Sequence, residues 1–581
     1  MASLFSLTEK HNILRETTFW SKSQVFVLKR SLQNLLSGIK RFNDSGQLKN
    51  APIIAISGSD LWNPEDNEQN KILTAGKIQN LRIAIKKLNG FEISAGEVFS
   101  FWRYIGIPSQ SRGYVIGREI REGCIVPTIA GGLCQLSNAL YDAALKAGFE
   151  IIERHKHTKV IKGSLAEQDR DATVKWNYVD LRFRSGHSFR IDIDITADKL
   201  IVKFRSTTQH TTVAGDPNIL LQSSKLNDCF SCGNTTCFKH PDKSLLKKMT
   251  TSTTYILDEQ WPEYDEYIRS VATADDHFVV PVLENKFISA ERYQWKSVNR
   301  EKAIATTLAS LKRTVMMRFS TYTKANVFEL SLRLDRDIAK AAARLIPIES
   351  THLIVSQNLL PYLWEQGALG GRTYDVLMTR LPMEKLHERL NTAHTRYPES
   401  KTLNDFRASD KLLELENIAL TRSRKIITPH QEIADLFINK VVRVDWSLPK
   451  AKTAITPGTK ILFPASSLGR KGAYEIRQLA RELALTIVIA GKATEQDDFW
   501  KGVSVEYAEG DPLNNISRVI FPTYVEHQPR LLLRAIANGI PVITTSAAGL
   551  PAGEHITIIP VGDYDALRHT VLFTCSSASG L

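Results

Sequence analysis

Apolar and polar positions follow two rhythms along this chain, and the change falls near residue 250. Before it, Ile72–Gly90 (ILTAGKIQNLRIAIKKLNG) carries apolar residues at helical spacing and ends on a glycine, the usual helix stop. Short apolar pieces over Val98–Trp102 and Tyr114–Val126 read as strands. Residues 131–148 (GGLCQLSNALYDAALKAG) read as an amphipathic helix opening at Cys134. Val179–Phe183, Phe189–Ile195 and Leu200–Phe204 alternate as strands do, with turn residues between them. This mixture predicts an α+β domain over residues 71–208, preceded by a segment 1–70. After 250 the pattern predicts strands at Thr351–Val355, Arg424–Thr428, Ile461–Pro464, Thr486–Ala490, Arg518–Phe521 and Pro541–Thr544. Helices are expected between them at Glu414–Leu420, Ala473–Ala484 and Arg530–Asn538. Alternating strands and helices predict parallel, doubly wound sheets. Residues 222–245 are polar, lack an apolar period and read as a linker.

Composition narrows this picture a little. At 581 residues the chain is too long for one core, so several domains are expected. Its 43% hydrophobic and 24% charged residues are those of a globular protein, not a disordered one. No run of eighteen apolar residues predicts a membrane span, and MASLFSLTEKHNILRETTFW lacks the apolar stretch of a signal peptide. Both points favour the cytoplasm. The net charge of +13 favours anionic partners without choosing among them. Residues 1–50 hold eight Lys/Arg against three Asp/Glu, and Val25–Phe42 mixes apolar and basic residues at helical spacing. That suits a basic amphipathic helix lying against an anionic membrane at its inner face, or a helix docked on its own domain.

The helix at Cys134 carries candidate chemistry. A thiol at a helix N-terminus sits where unsatisfied N–H groups and the helix dipole favour an anion. Gly131 and Gly132 permit a tight turn, and Gln135 or the Cys134 N–H is placed to donate to an oxyanion. Downstream lie His155 and His157, in ERHKHT, and then Asp171, in RDATV. Cys134, His157 and Asp171 in that order can serve as nucleophile, base and orienter, with His155 as a hydrogen-bonded bystander. Against this stands plain packing, since free cysteines are commonly buried, and a redox role. The stretch AGGLCQLSNALYDAALKAGFEIIERHKHT with RDATVKWNYVDLRF resembles the VanW family over roughly residues 71–206. That family is named for a protein encoded with vancomycin resistance genes, and its biochemical activity is not established. The resemblance implies a third glycine before the pair; Ala130 stands there instead.

The linker holds Cys229-x2-Cys232-x4-Cys237-x2-His240, three thiols and an imidazole, a sufficient tetrahedral set for a structural zinc. A redox pair or chance clustering are the alternatives. The spacing differs from the nucleic-acid-binding zinc knuckle, so no specific nucleic-acid binding is expected.

In the last third, ILFPASSLGRKGAYEIRQLARELALTIVIAG and VIFPTYVEHQPRLLLRAIANGIPVITTSAAGLP resemble the nucleotide-sugar half of retaining GT-B glycosyltransferases. That resemblance implies two Rossmann-like domains, over 250–440 and 441–581, and a nucleotide-diphosphate sugar donor. Lys471 matches the lysine that neutralises the diphosphate, Glu526 the first glutamate of a pair facing the donor sugar, and Gly549 a glycine near the phosphates. Two positions depart from it. Arg534 stands where the second glutamate holds the ribose, and arginine has no acceptor lone pair. Ser466 replaces an arginine beside the phosphates. The resemblance also implies a further helix or two after PVGDYDALRHTVLF, so a truncated domain is expected. The expectation is therefore a VanW-type α+β domain joined to a GT-B-like α/β pair. It would transfer sugar from a nucleotide donor to a cell-envelope or other glycan acceptor. A thiol hydrolase or acyltransferase centred on Cys134, or a non-catalytic glycan-binding scaffold, are the alternatives.

Overall fold

The computed structural model describes residues 45–121, 124–157, 165–208, 252–283, 291–323, 327–449 and 457–576, except Glu65, Asn67 and Asn177, together with residues 21, 24, 25 and 27–33. The chain divides into two compact units. One comprises residues 1–252 with 347–351 and 366–373; the other takes in the rest.

The first unit is rich in strands. Its main sheet is antiparallel, with order β1–β9–β8–β2, formed by β1 (Ile53–Asp60), β2 (Glu92–Ile93), β8 (Phe189–Ile195) and β9 (Lys199–Arg205). A second sheet joins β3 (Val98–Ser100), β7 (Arg182–Arg184) and β6 (Glu150–Glu153), and a hairpin joins β4 (Ile116–Arg121) to β5 (Cys124–Ile129). The helices Glu68–Ile85 and Leu133–Lys146 pack on this framework. Alternation along β8 and β9 turns Phe189, Ile191, Ile193 and Leu200, Val202, Phe204 inward, where Phe149, Phe183, Phe189 and Phe204 form one aromatic cluster. On Leu133–Lys146 the spacing Leu136, Ala139, Leu140, Ala143, Ala144 presents one apolar stripe, all fully buried. Each leucine there contributes about 1.5–3 kcal/mol by burial.

Three expectations change. The domain does not begin at 71: Ile53–Asp60 pairs with β9 across the main sheet, so part of segment 1–70 is integral to it. The strand expected over Val98–Trp102 stops at Ser100, whose side chain accepts the Arg103 N–H and so starts a short helix, Phe101–Ile105. The first long helix runs Glu68–Ile85 and gives way to turns before Gly90, which takes φ +90°. Within Val25–Phe42 the described residues are helical, with Val25, Leu28 and Leu32 exposed and Arg30 paired to Glu153. Among the described residues no helix is long and apolar enough to cross a membrane. Cys229, Cys232, Cys237 and His240 lie outside the described residues. Among the described ones, no group of three or more His, Cys, Asp or Glu is placed to hold a metal.

The second unit holds two parallel sheets with helices, the α/β architecture expected from the pattern. The first has order β12–β11–β10–β13–β14–β15–β16. Its strands are β10 (Thr253–Ile256), β11 (His277–Val280), β12 (Ala303–Ala305), β13 (His352–Ser356), β14 (Thr373–Leu377), β15 (Lys425–Thr428) and β16 (Val441–Arg443). Because β16 pairs with β15, this sheet extends past the expected division at 440. The second has order β19–β18–β17–β20–β21–β22, from β17 (Pro457–Phe463), β18 (Ile487–Ile489), β19 (Val505–Tyr507), β20 (Ile516–Phe521), β21 (Val542–Thr545) and β22 (Ile556–Ile559). In each sheet the chain runs outward to one edge and then returns to the other side of its first strand. The direction therefore reverses between β10 and β13, and between β17 and β20. Binding sites in open parallel sheets form outside the carboxyl ends of the strands at such reversals.

Candidate functional site

In the first unit, the start of Leu133–Lys146 is built by close backbone approach. A Cβ on Gly131 would stand 2.5 Å from the Gly117 carbonyl oxygen, and one on Gly132, at φ +100°, 2.1 Å from Lys77 Cγ. Only glycine fits either place. Asn80 fastens the turn, donating to the Val115 and Gly131 carbonyls and accepting the Val115 N–H. Ala130 sits at φ +62°, a left-handed conformation that costs an L-residue about 1 kcal/mol. Ala130→Gly should therefore raise stability by about 0.5 kcal/mol after the added chain entropy of glycine. A thermal midpoint unchanged or lowered in that variant would refute the strain.

Cys134 is the second residue of the helix and half-buried. One turn on, Ser137 donates to the Ala172 carbonyl at 2.5 Å and Asn138 accepts the Ala172 N–H at 2.7 Å. This two-handed grip on Ala172 lays Asp171 and Thr173 beside the helix start. The Cys134 sulfur lies 3.6 Å from Thr173 Oγ1 and 3.8 Å from the Val174 carbonyl. The strand-end segment carrying His157 is tied to the same loop by Thr173 N–H to the His155 carbonyl and by Arg154 to the Asp171 carbonyl. As a result His157 Nδ1 meets Asp171 Oδ1 at 2.6 Å, and the His157 backbone N–H donates to Asp171 Oδ2. Asp171 is 1% exposed and His157 23%. Burial opposes the imidazolium, but hydrogen bonds with Asp171 and Cys134, and their charges, outweigh it and push His157 up to about 10.

The structure thus brings Cys134, His157 and Asp171 together. It separates His155, which is exposed and turned to Glu153 at 3.3 Å. Gln135 does not face an oxyanion position: its amide donates to Ser59 Oγ and the Asp60 carbonyl, 2.9 and 2.8 Å away. Lys77, which the sequence reading passed over, is buried behind Gly132 with its amine on the Leu61 carbonyl at 2.7 Å. Burial, then Arg118, lower it to about 7 against the opposing charges of Asp66 and Asp60. A lysine inside a helical pattern carries no local sign of this.

In the second unit, the loops leaving β17 and β20 meet at the reversal point. Lys471 Nζ contacts Glu526 Oε2 at 2.8 Å and the Val525 carbonyl at 3.0 Å. Glu526 Oε1 accepts the N–H groups of His527 and Gln528. Although burial would raise it, Lys471 above all holds the Glu526 carboxyl down to about 2. Arg470 adds a second positive charge acting on Glu526, its guanidinium 4.8 Å from the Phe406 ring centre. Ser466 stands in the same loop, its carbonyl accepting the Leu468 N–H, and supplies no charge.

Loops of the first parallel sheet reach the same place. His430, after β15, lies 3.3 Å from the Glu526 carbonyl. Gly549 does not offer its N–H to an anion, because that group donates to the Ser546 carbonyl. Its carbonyl accepts from Gln431 and Trp446, and at φ +71° a Cβ there would lie 2.3 Å from the His430 ring. Its glycine is explained by this approach rather than by a phosphate. Arg534 pairs with Asp511 at 2.6 Å. Arg530 forms a two-pronged pair with Glu263 (2.6 and 2.8 Å), its guanidinium beside the stacked indoles, 5.5 Å from the Trp261 ring centre and 5.8 Å from that of Trp446.

Residues 76–205 match the family model described as VanW like protein. Two curated relatives match segments of similar length. The vancomycin B-type resistance protein VanW of Enterococcus faecalis is 33% identical over 132 residues, 22% of this chain and 47% of its own. The uncharacterized protein YoaR of Bacillus subtilis is 30% identical over 122 residues, 21% of this chain and 38% of its own. The chain thus spans less than half the length of either relative. Solved glycosyltransferases are similar in fold to the remainder. Among them, sucrose-phosphate synthase from Thermosynechococcus elongatus matches 56% of this chain and 90% of its own, at 14% identity and a TM-score of 0.34.

Proposed function

We propose that the second unit is a glycosyltransferase using a nucleotide-diphosphate sugar. The observation that carries this is the Lys471–Glu526 pair at the reversal point of the second parallel sheet. An amine there suits a diphosphate, and an ionised carboxylate beside it suits a sugar hydroxyl or the charge developing at the anomeric carbon. The diphosphate draws the Lys471 amine from Glu526, which frees the carboxylate for the sugar. Arg470 supports the reading by adding positive charge where Ser466 has none. The ribose contact is the point of departure: Arg534, engaged with Asp511, offers no acceptor. The acceptor belongs to the same proposal as a cell-envelope or other glycan, with the chain acting in the cytoplasm. The basic residues of 1–70 would bring it to an anionic membrane.

Glu526→Gln should lower glycosyl transfer about 10- to 100-fold, the worth of one charge-assisted contact, and should also lower the unfolding midpoint, because it removes the charge paired with Lys471. The measurement is nucleoside diphosphate release across a set of nucleotide sugars with wild type and variant. Equal turnover in both removes Glu526 from the chemistry, and no donor bound by either ends the glycosyltransferase reading.

A further inference from the structure

A second centre lies in the first unit, on residues the transferase reading does not use. We propose that Cys134, His157 and Asp171 form a thiol active site that accepts an acyl group, from an ester, thioester or amide, as a thioester on Cys134 Sγ. His157 Nδ1 is fixed on Asp171 at 2.6 Å, which leaves Nε2 as the nitrogen for proton traffic at the thiol. Asp171 is buried and His157 and Cys134 are partly open, so the orienting group is sealed while the reacting groups are reachable. The Cys134 N–H belongs to the first turn of its helix, where backbone donors lack intrahelical acceptors and suit an oxyanion. A cysteine that merely fills space needs no imidazole. This chain nevertheless buries a carboxylate, against its desolvation, to hold one beside it. Among the described residues Cys134 is in no disulfide.

The steps balance without an oxidant or reductant. The Cys134 thiolate attacks the carbonyl carbon, forming the C–S bond and moving the carbonyl electron pair to oxygen. That pair returns as the bond to the leaving group breaks, and His157 Nε2 gives the departing amine, alcohol or thiol its proton. Water or an amine then loses a proton to His157 Nε2 and attacks the thioester. The C–S bond breaks, and the thiolate–imidazolium pair is restored.

Asp171 and Cys134 are the groups that act on His157, and the other charged groups of the surrounding elements are engaged elsewhere. Asp171 comes from the loop after 165–168, and Glu153, His155 and Lys156 from His157's own segment. Lys77, from Glu68–Ile85, stands behind Gly132. Burial works against the His157 charge, but Asp171 and the Cys134 sulfur more than offset it, and the imidazolium persists up to about pH 10. The imidazolium should therefore stand beside the Cys134 sulfur across pH 6–9.

The test uses the full chain with two probes, iodoacetamide and p-nitrophenyl acetate, and locates adducts by peptide mass spectrometry. In wild type, alkylation of Cys134 should change little between pH 6 and 9. p-Nitrophenolate should be released in a burst of one equivalent, with an acetyl thioester on Cys134. His157→Ala should slow both at pH 6 at least about tenfold. His157→Gln, which keeps a polar group beside Asp171, should do the same if folding of the alanine variant is compromised. His155→Ala should react as wild type. Labelling in wild type with an ordinary thiol pH profile, indifferent to His157, would overturn the proposal. So would a Cys134 found as a sulfenate or disulfide in place of the thioester. None of these readings depends on nucleotide-sugar turnover.

Discussion

Arg530→Ala should destabilise the second unit by about 3 kcal/mol, and Glu263→Ala by only about 1 kcal/mol. The inequality follows from burial. Glu263 has a side chain with no exposed surface, whereas Arg530 is 34% exposed. Removing the arginine leaves a sealed carboxylate whose one remaining partner is the Ser447 N–H. Removing the glutamate leaves a guanidinium that still lies beside the Trp261 and Trp446 rings and can turn to water. The double variant should be no less stable than Arg530→Ala alone, because the orphaned charge is gone. The pair joins the helix after β10 to the helix after β20, so the loss should appear in the calorimetric transition of that unit. Equal costs for the two single variants, or additive losses in the double, would mean that the pair is not sealed as described.

The second parallel sheet was the more legible, because strands such as ILF, IVI and VIF are short apolar runs followed by Gly or Pro; in the first sheet only β13 and β15 stood out. The helix ends near Cys134 and Lys471 were likewise marked by glycines. What could not be read depends on partners far along the chain. Ile53–Asp60 is half of a strand pair whose other half begins at Lys199, and nothing local distinguishes it from an apolar stretch of a basic tail. Phe101 and Trp102 look like strand residues until Ser100 is seen to cap them. At the thiol site, residue types and order announced the three members, but not the means of assembling them. Ser137 and Asn138 grip Ala172 across more than thirty residues, and Asn80 holds a turn fifty residues on. Gln135 and Gly549 misled for the opposite reason. Each stands beside a reacting position in sequence, yet its polar groups are already taken by Ser59 and Asp60, or by Ser546, Gln431 and Trp446. Burial of polar groups demands partners, and partner choice is a tertiary property.

Asp171→Asn should slow modification of Cys134 at pH 7 about 30-fold. This is the ratio between a fully formed thiolate and the few per cent present in an ordinary thiol at that pH. Asparagine fills the same space and can still accept from the His157 ring or backbone, so the loop should keep its place. What it removes is the negative charge that, with Cys134, keeps His157 protonated against its burial. The pH–rate profile of alkylation should accordingly move toward that of free cysteine, near 8.5. A purely structural Asp171 would alter stability and leave that profile alone. A stability signature accompanies it, with a definite sign. The His157 value rises on folding from 6.5 to about 10, so the charged pair stabilises the wild type fully below pH 6.5. That contribution is lost as pH climbs through 10. The gap in unfolding free energy between wild type and Asp171→Asn should therefore be widest near pH 6 and close above pH 10. A gap independent of pH would show that Asp171 holds the loop without charging the imidazole, and the thiol site would lose its orienting residue.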